Sequence, residues 1–239
     1  MSARFLAILV HVFTASGLVF GFLSIIATID KNISLAFLYL GITLVIDGID
    51  GTLARAAKVK IYTPGVDGGA LDFVIDYFTY VTIPAVMIWH WALVPAGFQT
   101  LAGALVLLAG GFTFAQVGMK AEDNSFIGFP ALWNVVVFFV VLSSLSAWLS
   151  LFVIGAFLIL TIVPTPYVHP FRTPLGGYEW LNWLNSALWT VSAAILGYQI
   201  LHQGHNSSAA QPWFIVFIAS SSYFAGISLF LTLKRIKIS

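Results

Sequence analysis

The strongest constraint on this chain is a series of uninterrupted apolar runs, several of them long enough to cross a bilayer. Crossing about 30 Å of hydrocarbon takes roughly 20 helical residues. Runs of this kind fall at 5–29, 34–56, 69–94, 100–117, 131–143, 147–163, 181–201 and 212–233. The fifth is short for a span. Only Ser143, Ser144, Leu145 and Ser146 separate it from the sixth, so 131–163 also reads as one long helix with a re-entrant piece. A barrel would alternate apolar and polar residues along short strands, and these runs do not alternate. Charged residues make up 8% of the chain and hydrophobic ones 60%, against about 25% charged in a soluble domain. The sequence therefore predicts an all-α, polytopic transmembrane helical bundle of about eight helices, with 1–239 as a single membrane domain.

Lys and Arg set the orientation, because cytoplasmic loops hold the excess. With the N-terminus inside, Arg4, Arg55, Lys58, Lys60, Lys120, Arg172, Lys234, Arg235 and Lys237 fall on one side, and Lys31 alone on the other. Both termini are expected in the cytoplasm. A net charge of +1 gives no basic field for nucleic acid. The absence of cysteine excludes disulfides and thiol chemistry. The connection 164–180 carries Pro164, Pro166, Pro170 and Pro174 and the pair Gly176 and Gly177. These turn signals predict a shaped cytoplasmic loop.

Five of the nine acidic residues lie between Asp47 and Asp76. All of these except Asp67 sit in predicted helices. Ionisable groups at membrane depth are costly and face a bundle interior or a water-filled cavity. At 100° per residue, Asp47, Asp50, Gly51 and Ala54 fall within an arc of roughly 100°. Lys58 is expected on the same face, with Arg55 at its edge. Asp72 and Asp76 are four apart and stack on one face of the next helix. A turn through Pro64, Gly65, Gly68 and Gly69 makes these helices antiparallel neighbours, so the two pairs of acids can face each other. Four carboxylates in one pocket repel, and without a cation some would stay protonated. Hard oxygen ligands suit Mg2+ or Mn2+, and such ions neutralise charge in phosphoryl displacement. Small Gly51 and Ala54 let a ligand approach the backbone, and Arg55 and Lys58 can hold phosphate charge. The rival readings are interhelical polar pairs or a cation pathway. A transporter would show broken helices in corresponding positions of two repeats, and the Asp47 to Asp76 pattern has no second copy.

The combination Asp47, Asp50, Gly51, Ala54, Arg55, Gly68, Asp72 and Asp76 resembles the signature of the CDP-alcohol phosphotransferase family. The spacer 56–67 is longer than the family's usual form. With about eight spans, it resembles the members that join CDP-diacylglycerol to choline, release CMP and depend on manganese. Other acceptors in the family are serine and glycerol 3-phosphate. The resemblance implies a bacterial inner-membrane enzyme with its active site facing the cytoplasm, in a family whose members commonly form homodimers. It implies Asp47, Asp50, Asp72 and Asp76 as metal ligands, with Asp76 also the general base. It places Gly51, Ala54, Arg55, Lys58 and Gly68 against CDP-diacylglycerol.

Choline is a quaternary ammonium, which proteins hold over aromatic faces. The candidates on the cytoplasmic side are Phe129, Trp133, Asn134, Tyr167, Tyr178 and Trp180, with Glu179 as counter-charge. Each is also readable as an interfacial belt residue. Gly17 and Gly21 predict close helix packing, inside the bundle or at a dimer interface. His11 reads as a hydrogen-bonded structural residue, Asp67 as a turn residue, and His90, His202 and His205 as interfacial. His169 is a cytoplasmic candidate for phosphate.

Overall fold

The computed structural model describes residues 2–116, 125–169, 173, 177–203 and 212–236. Lys120, Arg172, His205 and Lys237 lie outside the described residues. Each apolar run has become a helix. They are α1 (Ala3–Ile29), α2 (Ile33–Ala56), α4 (Gly68–Asp76) continued through a π-helical segment (Tyr77–Thr82) into α5 (Ile83–His90), α6 (Gln99–Ala115), α7 (Trp133–Leu142), α8 (Ala147–Ile162), α9 (Glu179–Gln203) and α10 (Pro212–Ile236). A short α3 (Val59–Tyr62) joins α2 to α4. Five of these runs are long and apolar enough to cross a membrane, and α6, α7 and α8 are shorter apolar helices. At 1.5 Å per residue, the 10 residues of α7 rise about 15 Å, half of the hydrocarbon thickness. Trp133, Asn134, Val136, Val137, Val140, Val141 and Leu142 of α7 are buried, so its neighbours, not lipid, surround it. The break at 143–146 is a real turn. Ser144 takes a φ of 46°, and the Ser146 side chain caps α8 by accepting from Leu149 N.

α1 shows how the bundle closes. Its buried residues are Ala7, Val10, Thr14, Gly17, Gly21, Ser24, Ala27 and Thr28, a stripe of small side chains at spacings of mostly three and four. Small residues let helix backbones approach where lipid gives no hydrophobic drive. A Cβ on Gly17 would come within 2.9 Å of Ile75, and one on Gly21 within 2.7 Å of Phe78. The Gly17 and Gly21 pair is therefore used inside the bundle, against α4 and the π segment. On the opposite face Val12, Val19 and Phe22 are 58–59% exposed, a surface suited to acyl chains. Outward residues of α6 and α8, such as Phe112 and Ile162, fit the same environment.

The π segment was not apparent from hydropathy. Its cause is Pro84, which has no N–H to return to the carbonyl four residues back. The turn widens, and Ile83 N donates to Phe78 O, five residues back. Next to it, α6 approaches closely: a Cβ on Gly110 would sit 2.4 Å from Val81 Cγ1. Tyr77 Oη donates to Leu107 O at 3.0 Å.

Two strands were also unforeseen. Phe126–Ile127 (β1) pairs antiparallel with Pro166–Tyr167 (β2). Gly128 N donates to Thr165 O at 2.8 Å with φ of 78°. A Cβ there would press to 2.7 Å from Thr161 O, so glycine is required on both counts. Val168 N donates to Ser228 Oγ at 3.3 Å, tying this ribbon to α10.

Gly110→Ala is expected to destabilise the bundle by about 1–3 kcal/mol, the usual cost of overpacking. Gly41→Ala, where a Cβ meets nothing within 4 Å, should be neutral or stabilising. Thermal melts of both in detergent check the contrast. Because the chain has no cysteine, single-cysteine variants at Lys31 and Lys60 report sidedness directly. An impermeant thiol reagent added to spheroplasts should label only Lys31→Cys. Labelling of Lys60→Cys instead reverses the expected orientation.

Candidate metal centre

The site is built where α2 ends and α4 begins. Asp47, Asp50 and Asp72 each present a carboxylate oxygen, and the three oxygens lie within 4.8 Å of one another. Asp50 is 7% exposed, and Asp47 and Asp72 are half-buried. At this separation two unit charges repel by on the order of 3 kcal/mol at an effective dielectric of ~20. A divalent cation removes that repulsion. An all-carboxylate donor set fits a hard cation such as Mg2+ or Mn2+ rather than a thiolate-seeking one. Asp76 lies one turn beyond Asp72 with Oδ1 buried, and it is not one of the three whose oxygens converge.

Tyr80 is the residue that sequence reasoning missed. It is 6% exposed, and its hydroxyl donates to Asp47 Oδ2 at 2.5 Å. Helical phase held no signal for it, because a uniform 100° step puts position 80 about 80° away from the face of Asp72.

The remaining motif residues divide. The Arg55 guanidinium lies along α2, with Nη2 donating to Thr52 Oγ1 at 3.0 Å. A Cβ on Gly51 would be 3.5 Å from Arg55 Nη1, so Gly51 and Arg55 share one exposed corner. Arg55 is also in the last turn of α2, where a cation suits the helix dipole. Ala54 packs on a small cluster of Ala7, Val10, Ala57 and Val59, where its size permits the α1–α2 approach. Gly68 starts α4 facing the His11 ring, 3.4 Å from where its Cβ would be. The expected place of Lys58 on the α2 face is corrected: α2 ends at Ala56, and the backbone at Lys58 is left-handed with φ of 50°. The helical phase stops two residues before it.

The long spacer thus has a structure. α3 rests on α1 through Val59 and Ala57, and His11 Nε2 meets Thr63 Oγ1 at 2.9 Å. Thr63 spends its own proton on Val59 O, so the His11 nitrogen is the donor. Asp67 caps α4, accepting from Gly69 N and Ala70 N at 3.0 and 3.1 Å. His11 and Asp67 therefore have the structural roles expected of them.

Among the aromatic candidates, Phe129 stands 5.6 Å from Trp133 and 6.0 Å from Tyr167, both edge-on. Trp133 is fully buried and Asn134 is 4% exposed. Burial pushes the Tyr167 hydroxyl above its usual range, partly offset by Thr165, so it is neutral across physiological pH. Tyr178 and Trp180 are exposed at 63% and 56%. No ring contact joins either to Phe129 or Tyr167 among the described residues. Glu179 opens α9 and accepts from Gly177 N at 3.3 Å. An apolar cleft of about 770 Å³ runs between α6 and α8, past Leu108, Phe112 and Ile159. It holds none of the acids.

Fold and site together define an integral membrane protein with three carboxylates placed where they could hold a metal ion. No protein-family model matches the chain. It is 38% identical over 221 residues to the phosphatidylcholine synthase of Pseudomonas aeruginosa, covering 92% of this chain and 89% of that one. The phosphatidylcholine synthase of Agrobacterium fabrum is 34% identical over 92% of this chain and 88% of its own. That of Rhizobium meliloti is 31% identical over 93% and 88%. The chain belongs to the phosphatidylcholine synthase family.

Bound Mn2+ should raise the melting point of the detergent-solubilised protein, as any ligand of the folded state does. Asp72→Asn should remove most of that rise while leaving the metal-free melt within a few degrees. An unchanged rise in Asp72→Asn would exclude this carboxylate as a ligand.

Proposed function

We propose that this chain transfers the phosphatidyl group of CDP-diacylglycerol to choline, giving phosphatidylcholine and CMP, as a CDP-alcohol phosphotransferase of the bacterial inner membrane. The observation that carries this reading is the convergence of Asp47, Asp50 and Asp72 within 4.8 Å, on the residues of the motif. These three would hold Mn2+ or Mg2+. When bound, the cation neutralises pyrophosphate charge and so favours displacement at phosphorus.

The protein's own groups do the rest. Gly51 leaves the backbone open beside the Arg55 guanidinium. That cation can accompany the phosphate oxygens of CMP as charge builds there. Asp76, one turn from Asp72 and outside the converging trio, takes the proton from the choline hydroxyl. Its separation from the trio favours this role, because a carboxylate held by a metal is a weaker base. The choline oxygen bonds to the phosphorus that carries diacylglycerol. The bond from that phosphorus to the bridging oxygen breaks, and CMP leaves with the electron pair. Orientation of the two reactants lowers the barrier further. The acyl chains stay in lipid throughout.

For the ammonium, half-buried Tyr167 and exposed Tyr178 would offer aromatic rings, and Glu179 adds a charge nearby in sequence. Trp133 and Asn134, enclosed behind Phe129, would support Tyr167 from within rather than touch the ligand. The basic residues Arg4, Arg55, Lys58 and Lys60 support a site open to the cytoplasm.

The purified protein with CDP-diacylglycerol and Mn2+ should release CMP when choline is added, and not with serine, glycerol 3-phosphate or inositol. Release with one of the other acceptors alone would replace choline as the substrate. No release with any acceptor would remove the transferase reading. Asp72→Asn should lower turnover at least about 100-fold, the upper end of what outer-shell changes at metal sites cost. Asp76→Asn should lose turnover yet retain Mn2+ binding. Loss of both would make Asp76 a ligand.

A further inference from the structure

We propose that Tyr80 is a positioning residue of the cation site, and that the π segment exists to aim it. This rests on the reading of Asp47, Asp50 and Asp72 as a cation seat. In a regular α-helix, residues at i, i+4 and i+8 drift by about 40° per step. Asp72, Asp76 and Tyr80 would then fan around the helix, with Tyr80 well off the face that Asp72 presents to α2. The π segment covers Tyr77–Thr82. Its five-residue hydrogen bonds turn the chain less per residue than an α-helix does. Over the steps from Asp76 to Tyr80 this offsets the drift, and the Tyr80 hydroxyl reaches Asp47 of α2.

There it meets Asp47, with a donor–acceptor distance of 2.5 Å to Oδ2, in the range of a hydrogen bond to a charged acceptor. This contact spans two helices and is shielded, since Tyr80 is 6% exposed. Its consequence is geometric. With Oδ2 engaged, the Asp47 carboxylate plane is fixed, and the group is steered towards offering a cation one oxygen rather than two. Outer-shell partners of this kind fix ligand orientation and are worth about 10–100-fold in metal affinity or activity. Pro84 supplies the widened turn, so a residue without a reactive group also serves the site. Tyr77, on the same segment, bonds Leu107 O instead and provides a matched control.

The experiment is Mn2+ binding to detergent-purified protein, followed by electron paramagnetic resonance of the free ion. Wild type, Tyr80→Phe, Tyr77→Phe and Asp47→Asn are compared without substrate. Phenylalanine keeps the ring and nearly the volume, so the fold is expected to survive. Tyr80→Phe should weaken Mn2+ binding about 10–100-fold, with Tyr77→Phe unchanged. Adding Tyr80→Phe to Asp47→Asn should cost little more, because both act through one carboxylate. In turnover assays the Tyr80→Phe deficit should shrink as Mn2+ is raised, a KM effect on the metal. Wild-type affinity in Tyr80→Phe, equal weakening in Tyr77→Phe, or full additivity with Asp47→Asn would each overturn the proposal. If Tyr80→Phe does not stay folded, Pro84→Ala, which removes the cause of the widened turn and leaves every acid in place, should weaken Mn2+ binding, and wild-type affinity in it would overturn the proposal. Absence of Mn2+ and Mg2+ binding in wild type is a different failure, and it removes the cation reading itself.

Discussion

Carboxylates inside an apolar bundle have few places to go, and this structure is organised around gathering them. Isolated in hydrocarbon, each would carry a desolvation cost of several kcal/mol. Brought together without a cation, they repel. The arrangement that satisfies both demands is a shared, partly enclosed pocket with a doubly charged ion. α2 and α4 meet so that Asp47, Asp50 and Asp72 can form it, and α1 packs behind both. The small-residue stripe of α1 has its purpose here, because close backbones leave room for acids to converge without bulky side chains between them.

Around this centre the packing changes character. On the inward faces of α1, α2 and α6, contacts run through glycine, alanine, serine and threonine. Ser24 Oγ donates to Ala36 O at 2.9 Å, and Gly103 and Gly110 admit α5 and the π segment. Further out, α9 and α10 are joined by polar pairs such as Trp189 to Ser221 and Asn185 to Ser220. Such pairs hold helices where apolar contact with a neighbour is no better than contact with lipid. α7 stands between these zones, sheathed in protein, and its half-length leaves no room for a separate span.

Much of this was legible in the residues. Eight apolar runs gave eight helices, because uninterrupted hydropathy in a bilayer admits only an internally hydrogen-bonded backbone. The acid trio was legible because helical phase places Asp47, Asp50 and Asp72 with few alternatives. The phase argument failed at Lys58, where α2 had already ended at Ala56 and the chain turned left-handed. It was silent on Tyr80, since a uniform 100° step hides the effect of Pro84 on the turn before it. The β1–β2 ribbon left no pattern, being two residues per strand and fixed by tertiary contacts to Thr165 and Ser228. The aromatic candidates show the limit of composition: Trp133 and Tyr178 looked alike in sequence, yet one is enclosed and the other exposed.

The widened turn before Pro84 makes one continuous helix answer to two partners at once. Its upstream half is phased to the acids of α2. Its downstream half meets α6, where Val81 nests against Gly110. The two obligations have different angular origins, and the π segment works as a vernier that reconciles them. Adding a single residue between Asp76 and Pro84 would leave every side chain chemically present while rotating one half against the other by a residue's worth of arc. Segment length there is constrained as tightly as the identity of any acid.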